Sequence, residues 1–456
     1  MKQRLLDALK NCPADYAEIR FETTDNTGFA YRGKELDNAS TGQFTGGIVR
    51  ACKNGGWGSC VFDTLDELKS KVADACAAAT TVGKEKTALA EIAVPADQVF
   101  TAQLKNDFRG VSLDEKVALV GKYNDIVLNA VPGVESSTVM YGENFRTVHF
   151  ASTRGNYFME ERPRILLYLV AIARNGSQVQ RGSESFSSAT DFTVVLNRED
   201  KAREVAERAV ALLKAPQCPG GRHHVILRPD FTGVFAHEAF GHLSEADFLY
   251  ENPQMRELMT IGRQMGNNDL SIIDDGSLGQ LIGTQHVDDE GTPTQKTMLI
   301  ANGVLAGHLH SLETAGKMGA KPTGNARAIG RGRPPIVRMT NTYVDTGTLS
   351  KEELFAGVDD GIYACGMQGG QTMMEMFTFS AAYGYRIKNG QVTDLLRDIV
   401  LTGNVFETLH NIDGIANDLT MFELGGGCGK GGQSPLPVTF GGPHIRLRDA
   451  VIGGQQ

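Results

Sequence analysis

Positive charge, paired cysteines and long apolar runs are all scarce in this sequence of 456 residues. The 45 lysines and arginines are outnumbered by 54 aspartates and glutamates, which gives a formal net charge of -9, and the basic residues are scattered along the chain. Proteins that bind a phosphate backbone usually carry a clustered basic patch or stripe. The charge pattern therefore disfavours direct binding to nucleic acid.

The seven cysteines are irregularly spaced and form no CxxC pair. This spacing is unlike the disulfide framework of a small secreted domain and fits a reducing compartment. The N-terminus lacks the apolar segment of a signal peptide, and the longest apolar run, residues 165–173, is far shorter than a membrane span. We therefore predict a cytoplasmic protein with no membrane segment.

Length and glycine content indicate two domains with much β structure. A chain of this length exceeds one ordinary hydrophobic core, and its 53 glycines favour strands joined by tight turns. Prolines and glycines at residues 216–221 are typical of a linker. We predict an α+β (α/β) fold, with an N-terminal mixed α/β domain over residues 1–217 and a β-rich C-terminal domain over residues 218–456 that carries one prominent helix.

Capping signals and alternation of apolar residues locate individual elements. Strands are predicted at residues 16–21 and 46–52. Capping boxes predict helices after Thr64, with Glu67, and after Ser112, with Glu115. The second half reads as short strands joined by turns, except for a helix from Phe231 onward and short helices near residues 351 and 406.

The helix from Phe231 contains the sequence HEAFGH, with His237, Glu238 and His242. The familiar zinc-protease helix spaces its histidines four residues apart, about 40° round a regular helix, whereas five residues correspond to about 140°. A regular helix would point these two rings in different directions. We therefore predict a break or π-type widening at Gly241, because glycine adopts backbone angles closed to other residues.

Catalytic zinc sites usually have three protein ligands and one water. His237 and His242 supply two ligands, and Cys428 in a glycine-rich run is the best candidate for the third. Glu245 is the alternative, either as a ligand or as a residue that orients a histidine. Glu238 would take a proton from the attacking water and deliver it to the leaving amine, so hydrolysis of an amide is the expected reaction.

Other patterns in the sequence suggest weaker sites. His308 and His310 lie two apart on a predicted strand and face the same way, which allows a ligand pair, although a half-exposed strand face is the simpler interpretation. The run around Cys428 departs from a phosphate loop at Leu424 and Gly431. Residues 288–291, DDEG, lack the alternating ligands of an EF-hand and are interpreted as an acidic turn near the substrate cleft.

Four separated motifs follow one another in the chain: HEAFGH at residues 237–242, DDEGTPTQ at 288–295, MTNTY at 339–343 and CGK at 428–430. Together they resemble the TldD/PmbA metallopeptidases, a family also known as modulators of DNA gyrase, and this chain is similar to the catalytic, TldD-like member. The resemblance runs through most of the chain. It implies that His237, His242 and Cys428 hold Zn²⁺ and that Glu238 is catalytic.

The resemblance also implies partners. Family members of the catalytic type pair with a subunit that lacks the metal motif, and the pair encloses a cleft that admits unfolded or leader peptides. The sequence leaves open whether this chain forms a homodimer or such a heterodimer. Because the charge pattern gives no support for contact with DNA, we interpret any gyrase link as indirect.

We therefore expect a zinc-dependent metallopeptidase that hydrolyses peptide bonds of unfolded or leader peptides in a cleft. One alternative is a non-catalytic regulatory scaffold that binds a protein partner and has a structural or vacant metal site. A free carboxylate beside the metal ligands argues against that alternative, since a binding module does not need one. A third hypothesis, hydrolysis of a small amide or ester, differs from the first only in the size of the cleft.

Overall fold

The computed structural model describes residues 1–85, 88–92, 97–423 and 427–453. Its first half is built on one seven-stranded sheet in which all pairings are antiparallel except that of the fourth and sixth strands. The strands are β1 (Tyr16–Arg32), β2 (Glu35–Lys53), β3 (Gly56–Phe62), β4 (Asp97–Phe100), β5 (Val134–Ser152), β6 (Tyr157–Asn175) and β7 (Gln178–Ser188). Their order is β3-β2-β1-β5-β6-β4, and β7 also pairs with β6.

Helices cover one face of this sheet, and the second half of the chain covers part of the other. In β1, Ile19 and Phe21 belong to the apolar core beneath the helices, whereas the alternate residues Glu18, Arg20 and Glu22 are buried polar groups on the opposite face. Successive strand residues point to opposite faces, so this alternation separates the two contacts. The helices are α1 (Lys2–Leu9), α2 (Leu68–Val82), α3 (Leu113–Asn129) and α4 (Glu199–Lys214).

The second half contains two larger sheets and several short helices. The helices are α5 (Pro229–Phe235), α6 (Ala246–Glu251), α7 (Pro253–Leu258), α8 (Leu312–Met318), α9 (Lys351–Ala356) and α10 (Val405–His410). The strands are β8 (Gly221–Leu227), β9 (Ile272–Asp275), β10 (Lys296–Ala301), β11 (Val304–Leu305), β12 (Ala326–Arg327), β13 (Ile336–Val337), β14 (Asn341–Val344), β15 (Asp360–Met373), β16 (Met376–Lys388), β17 (Gln391–Leu396), β18 (Val400–Asn404), β19 (Ile412–Ile415), β20 (Thr420–Phe422), β21 (Cys428–Lys430), β22 (Gln433–Leu436), β23 (Thr439–Gly442) and β24 (Ile445–Gly453).

Helix α5 lies between these two sheets. One sheet has the order β15-β8-β24-β18-β16-β17, and the pairing of β15 with β16 closes five of its strands into a ring; the other has the order β11-β10-β9-β14-β23-β20. Phe235 packs edge-on against Phe377 of β16 at a ring-centroid distance of 5.5 Å. On the other side Gly233 faces Gly441 of β23 so closely that a side chain would collide with the backbone. The helix is therefore fixed from both sides.

A buried acidic turn, residues 288–291, links the second half to the sheet of the first. Asp289 accepts from the Nη1 of Arg162 at 2.7 Å, and Glu290 accepts from the Nη1 of Arg50 at 3.1 Å. Arg50 also contacts Glu18 at 2.8 Å. The prediction of a turn is confirmed, but these carboxylates are fully buried among arginines of the other half, so the turn joins the two halves of the chain.

The mixed α/β class with a β-rich second half is confirmed. The individual helices and strands agree only in part with those predicted from capping boxes and apolar alternation. Ser112 forms the predicted capping box with Glu115. The box at Thr64 is wrong, because Thr64 makes no capping bond and the chain first forms a 3₁₀ turn, Leu65–Glu67, before α2. Strands β1 and β2 are much longer than predicted, and helices α6 to α8 were not predicted.

The sheet of the first half ends with β7, and the strands of the second half begin with β8. The division into domains at residues 217 and 218 stays a prediction. Among the described residues, no helix combines the length and the apolar character needed to cross a bilayer.

Candidate metal centre

The candidate metal centre is built on a helix whose turns change in pitch. Pro229 occupies the first helical position of α5, where its fixed backbone angle favours a helix start. The chain continues from α5 as a π-helical turn, Ala236–Gly241, and then a 3₁₀ turn, His242–Ser244. The predicted π-type widening is confirmed. A π turn joins residues five apart, so it brings the rings of His237 and His242 within 5.3 Å, centroid to centroid.

The widening was predicted from the unusual backbone angles that glycine can adopt, and that reason is wrong. The φ of Gly241 is -57°, an ordinary helical angle that any residue adopts. Glycine is favoured here by space, because a Cβ at this position would lie 2.0 Å from the Sδ of Met339 and would force that side chain to move. The buried Met339 side chain thus packs directly against the backbone of the π turn.

Three side chains converge at this turn. The ligand atoms of His237, His242 and Cys428 all lie within 4.8 Å of one another, and the Sγ of Cys428 is 3.3 Å from the Nε2 of His242. In the described part of the chain, no other group of three or more His, Cys, Asp or Glu residues is arranged to hold a metal ion. Cys428 begins β21, and Leu424, Gly425 and Gly426 just before it lie outside the described residues.

The thiol and the imidazoles of this group shift one another's pKa. Burial opposes ionisation of the Cys428 thiol, but the nearby imidazoles of His237 and His242 outweigh burial and lower the pKa of the thiol to about 5. Thiolate is the form that binds metals. Burial alone would lower the pKa of His237. The charge of Cys428 outweighs burial and raises the pKa of His237 overall.

His237 carries a further sign of a missing partner. Its side chain is almost fully buried, and neither ring nitrogen has a hydrogen-bond partner in the described part of the chain, although the Cys428 thiol is close enough to shift its pKa. Buried polar atoms without partners are rare in folded proteins. Two imidazoles and one thiolate fit Zn²⁺, which accepts both ligand types and keeps an open position in catalytic sites.

Glu245 contacts the far side of His242 and does not join the three-residue group. Its Oε2 lies 3.0 Å from the Nδ1 of His242 and 3.0 Å from the Nζ of Lys430. Burial alone would raise the pKa of Glu245, but His242 and Lys430 outweigh it and lower that pKa to about 2. The ionised carboxylate therefore orients His242 so that Nε2 faces Cys428.

Sequence reasoning missed the role of Lys430. Its Nζ also donates to the Oδ1 of Asp247 at 2.7 Å and to the carbonyl of Val337 at 3.0 Å. The ammonium thereby balances the charge of Glu245 and connects the helix that carries His242 to the strand that carries Cys428. A basic residue two positions after the cysteine was the only signal in the sequence.

Glu238 lies beside the group but remains accessible. Its side chain is 33% exposed, and its Oε2 is 3.7 Å from the Nε2 of His242. Its backbone carbonyl accepts a hydrogen bond from the Oγ1 of Thr372, in the ribbon formed by β15 and β16, at 2.9 Å. The carboxylate can therefore meet water and substrate at the edge of the site.

The other histidines considered from the sequence do not join a ligand group. The rings of His308 and His310 lie 6.3 Å apart, and the Nδ1 of His310 contacts the hydroxyl of Thr314. They flank Leu309, which forms an isolated bridge with Glu245 and does not belong to a longer strand. Burial lowers the pKa of both rings.

Comparison with known proteins identifies the family. Residues 17–79, 106–214 and 220–454 match, in that order, domain 1, the central domain and the C-terminal domain of the PmbA/TldA metallopeptidases. The chain belongs to the TldD/PmbA family. A protein of Synechocystis sp. named metalloprotease slr0863 is 42% identical over 442 residues, which cover 97% of this chain and 95% of the relative.

More distant family members extend the comparison. A protein of Saccharolobus solfataricus named zinc metalloprotease TldD homolog is 30% identical over 347 residues, covering 75% of this chain and 76% of the relative. The crystal structure of a Thermotoga maritima protein, proposed to be a modulator of a DNA gyrase, superposes with a TM-score of 0.79 at 23% identity and covers 99% of both chains. That last likeness shows the fold alone.

Proposed function

We propose that this chain is a zinc-dependent metallopeptidase in which His237, His242 and Cys428 hold the metal and Glu238 is the catalytic carboxylate. The observation that carries the proposal is the buried group of two imidazoles and a thiol of lowered pKa, with an accessible carboxylate beside it. The names of its relatives, metalloprotease and zinc metalloprotease, support the same conclusion.

The residues divide the chemistry between them. His237, His242 and Cys428 would hold a zinc ion, which would supply a Lewis acid for the scissile carbonyl and would lower the pKa of water. Glu238 takes a proton from the attacking water and delivers it to the leaving amine, a general acid and base role worth about 10²–10⁴-fold in rate. Glu245 holds the ring of His242 by its Nδ1 and leaves Nε2 for the metal.

We further propose that the substrates are extended segments of unfolded or leader peptides. The tip of the ribbon formed by β15 and β16 contacts Glu238 through Thr372, and next to it Met373 and Met376 are 74% and 50% exposed. Methionine side chains adapt to varied apolar partners, which suits a site that accepts many sequences. Unfolded polypeptide should therefore inhibit cleavage of a small reporter substrate.

Assembly of the active cleft is also a proposal. A homodimer, or a heterodimer with a family member that lacks the metal motif, would enclose the peptide. Light scattering on the purified chain, alone and mixed with such a family member, distinguishes the two. A protein that is monomeric in both samples and fully active would contradict this part of the proposal.

The test of the catalytic role is Glu238→Gln, with the exposed Glu251→Gln as a control. Zinc is measured by mass spectrometry and peptide cleavage by chromatography on the same samples. We expect Glu238→Gln to keep its zinc and to lose about 10²–10⁴-fold in cleavage rate, while the control stays unchanged. Undiminished cleavage by the zinc-loaded Glu238→Gln protein would refute the role.

A further inference from the structure

The strand that carries Cys428 belongs to a very small element. Strands β21 and β22 pair only with each other among the described residues, and the register joins Cys428 to Leu436. An isolated two-stranded hairpin has marginal stability in water. Its position relative to the histidine helix therefore depends on contacts with the rest of the chain, some made by Lys430 within the hairpin and others by side chains outside it.

Arg338 provides such contacts to both strands. Its Nη2 donates to the backbone carbonyl of Cys428 at 2.7 Å, and its Nη1 donates to the carbonyl of Gln433 at 3.1 Å. Each carbonyl belongs to the first residue of its strand. One guanidinium group therefore ties the two strands of the hairpin together at the residue that carries the thiol.

The backbone of Arg338 is itself held firmly. Its amide donates to the carbonyl of Asn325 at 2.8 Å, and the Nδ2 of Asn325 donates back to the carbonyl of Arg338 at 3.0 Å. The same Nδ2 also donates to the Oδ2 of Asp274 at 2.8 Å, in β9, which pairs with β10 and β14. The guanidinium thus connects the hairpin to a residue whose backbone is hydrogen-bonded to Asn325 and, through it, linked to β9.

An arginine is a costly choice for this position. Arg338 is 0% exposed, and among the described residues no carboxylate lies within ion-pair distance of its guanidinium. A buried cation without an opposite charge is expensive unless its hydrogen bonds are good. The planar fork of arginine reaches two carbonyls at once, whereas lysine presents a single point charge.

We propose that Arg338 is a positioning residue that holds the backbone of Cys428 so that its thiolate faces His237 and His242. This inference rests on the proposed metal site. Arg338 touches no reacting atom and acts only through Cys428. Its loss should weaken the bond between metal and sulfur while both histidines stay in place.

Arg327 offers a matched control. It is also almost fully buried without a carboxylate at ion-pair distance among the described residues, and it donates to the carbonyls of Met339 and Pro437. It does not touch Cys428. Removal of Arg327 therefore tests the general cost of losing a buried arginine near this hairpin.

The experiment compares Arg338→Met, Arg338→Lys and Arg327→Met as the whole chain loaded with Co²⁺. Cobalt bound to a thiolate gives a charge-transfer absorption that histidine ligands alone do not give, so this band reports the sulfur bond directly. Metal affinity is measured by competition with a chelator, and folding by circular dichroism. We expect Arg338→Met to weaken binding about 10–100-fold with a diminished band, Arg338→Lys to be intermediate, and Arg327→Met to keep the band.

Three results would overturn the proposal. They are a wild-type band and affinity in folded Arg338→Met, an equal loss in Arg327→Met, and failure of both Arg338 variants to fold when Arg327→Met folds. The last result would assign Arg338 to general stability. If wild-type protein itself shows no thiolate band, the proposed metal site fails instead, and this outcome is distinct from the other three.

Discussion

Two buried polar clusters in this chain differ in how their atoms are partnered. In the acidic turn, the carboxylates of Asp288, Asp289 and Glu290 accept hydrogen bonds from backbone amides, and the last two also accept from arginines. At the metal centre, both ring nitrogens of His237 are buried without a hydrogen-bond partner among the described residues. The acidic turn is thus a saturated cluster whose carboxylates find their partners within the described chain, whereas the candidate metal centre is unsaturated, which supports the proposal that it takes a ligand from outside.

The largest effect that would sharpen this comparison is expected in the saturated cluster. Arg162→Met leaves Glu160 and Asp289 buried without their shared cation. Breaking a buried ion pair costs about 3–5 kcal/mol, and the free energy of unfolding in urea measures it. Zinc binding by the folded protein should not change, because the turn supplies none of the proposed ligands.

The control for that measurement is Arg386→Met, which removes an ion pair with Asp360 on the surface. Exposed pairs contribute about 0–1 kcal/mol. Similar losses in the two variants would break the comparison, because the buried turn would then behave like the surface.

A smaller effect is expected at the π turn. Gly241→Ala places a methyl group against the Sδ of Met339, and overpacking of this kind costs about 1–3 kcal/mol in unfolding free energy. The double variant Gly241→Ala with Met339→Ala should cost less than the sum of the two single changes, because the clash is then removed. Strict additivity in thermal or urea unfolding would show that Met339 does not require the glycine.

The next effect concerns the orientation of His242. Glu245→Gln keeps the shape of the side chain but removes the charge that faces the Nδ1 of His242 and Lys430. We expect zinc affinity to fall about 10–100-fold, or about 1.4–2.8 kcal/mol, in competition with a chelator. An exposed change, Glu257→Gln, serves as the control. Complete loss of zinc in Glu245→Gln would instead indicate that Glu245 is a ligand.

The smallest effect, at pH 6, is a pH dependence from His310. Burial, together with the charge of His308, lowers its pKa to about 4 in the folded chain, below the value of about 6.5 expected when unfolded. Below pH 6.5 the unfolded state therefore binds more protons, and stability falls as the pH drops toward 4, by less than about 1 kcal/mol at pH 6. His310→Gln should remove this part of the slope in urea unfolding. If the unfolding free energies of His310→Gln and wild type changed equally with pH, the dependence could not be assigned to His310.

Local chemistry allowed much of the centre to be predicted. A five-residue spacing of histidines conflicts with a regular helix, so the widened turn followed from geometry. The ligand preferences of zinc offered Cys428, with Glu245 as the alternative, and the family resemblance implied Cys428. The proximity of Cys428 to both histidines in the structure agrees with that choice. Its role as a metal ligand stays a prediction.

Long-range partners explain what the sequence did not reveal. Arg50 and Glu290 are 240 residues apart, and Arg338 and Cys428 are 90 residues apart. No local pattern links such pairs. The burial of the acidic turn and the hydrogen bonds from Arg338 to the hairpin were therefore not predicted. Gly241 shows the same limit, because the space that favours glycine there is set by Met339 and not by the backbone angles of Gly241.

The widened turn also bears on how such sites arise and are recognised. Inserting one residue between two histidines of a regular helix would normally destroy a chelating pair, yet a π turn absorbs the extra residue and returns the second ring to the same side. A helix with a π turn therefore accommodates one more residue between its histidines and keeps both rings on one side. Searches for metalloenzymes that demand histidines four apart will overlook chains of this kind, whereas searches by three-dimensional arrangement will find them.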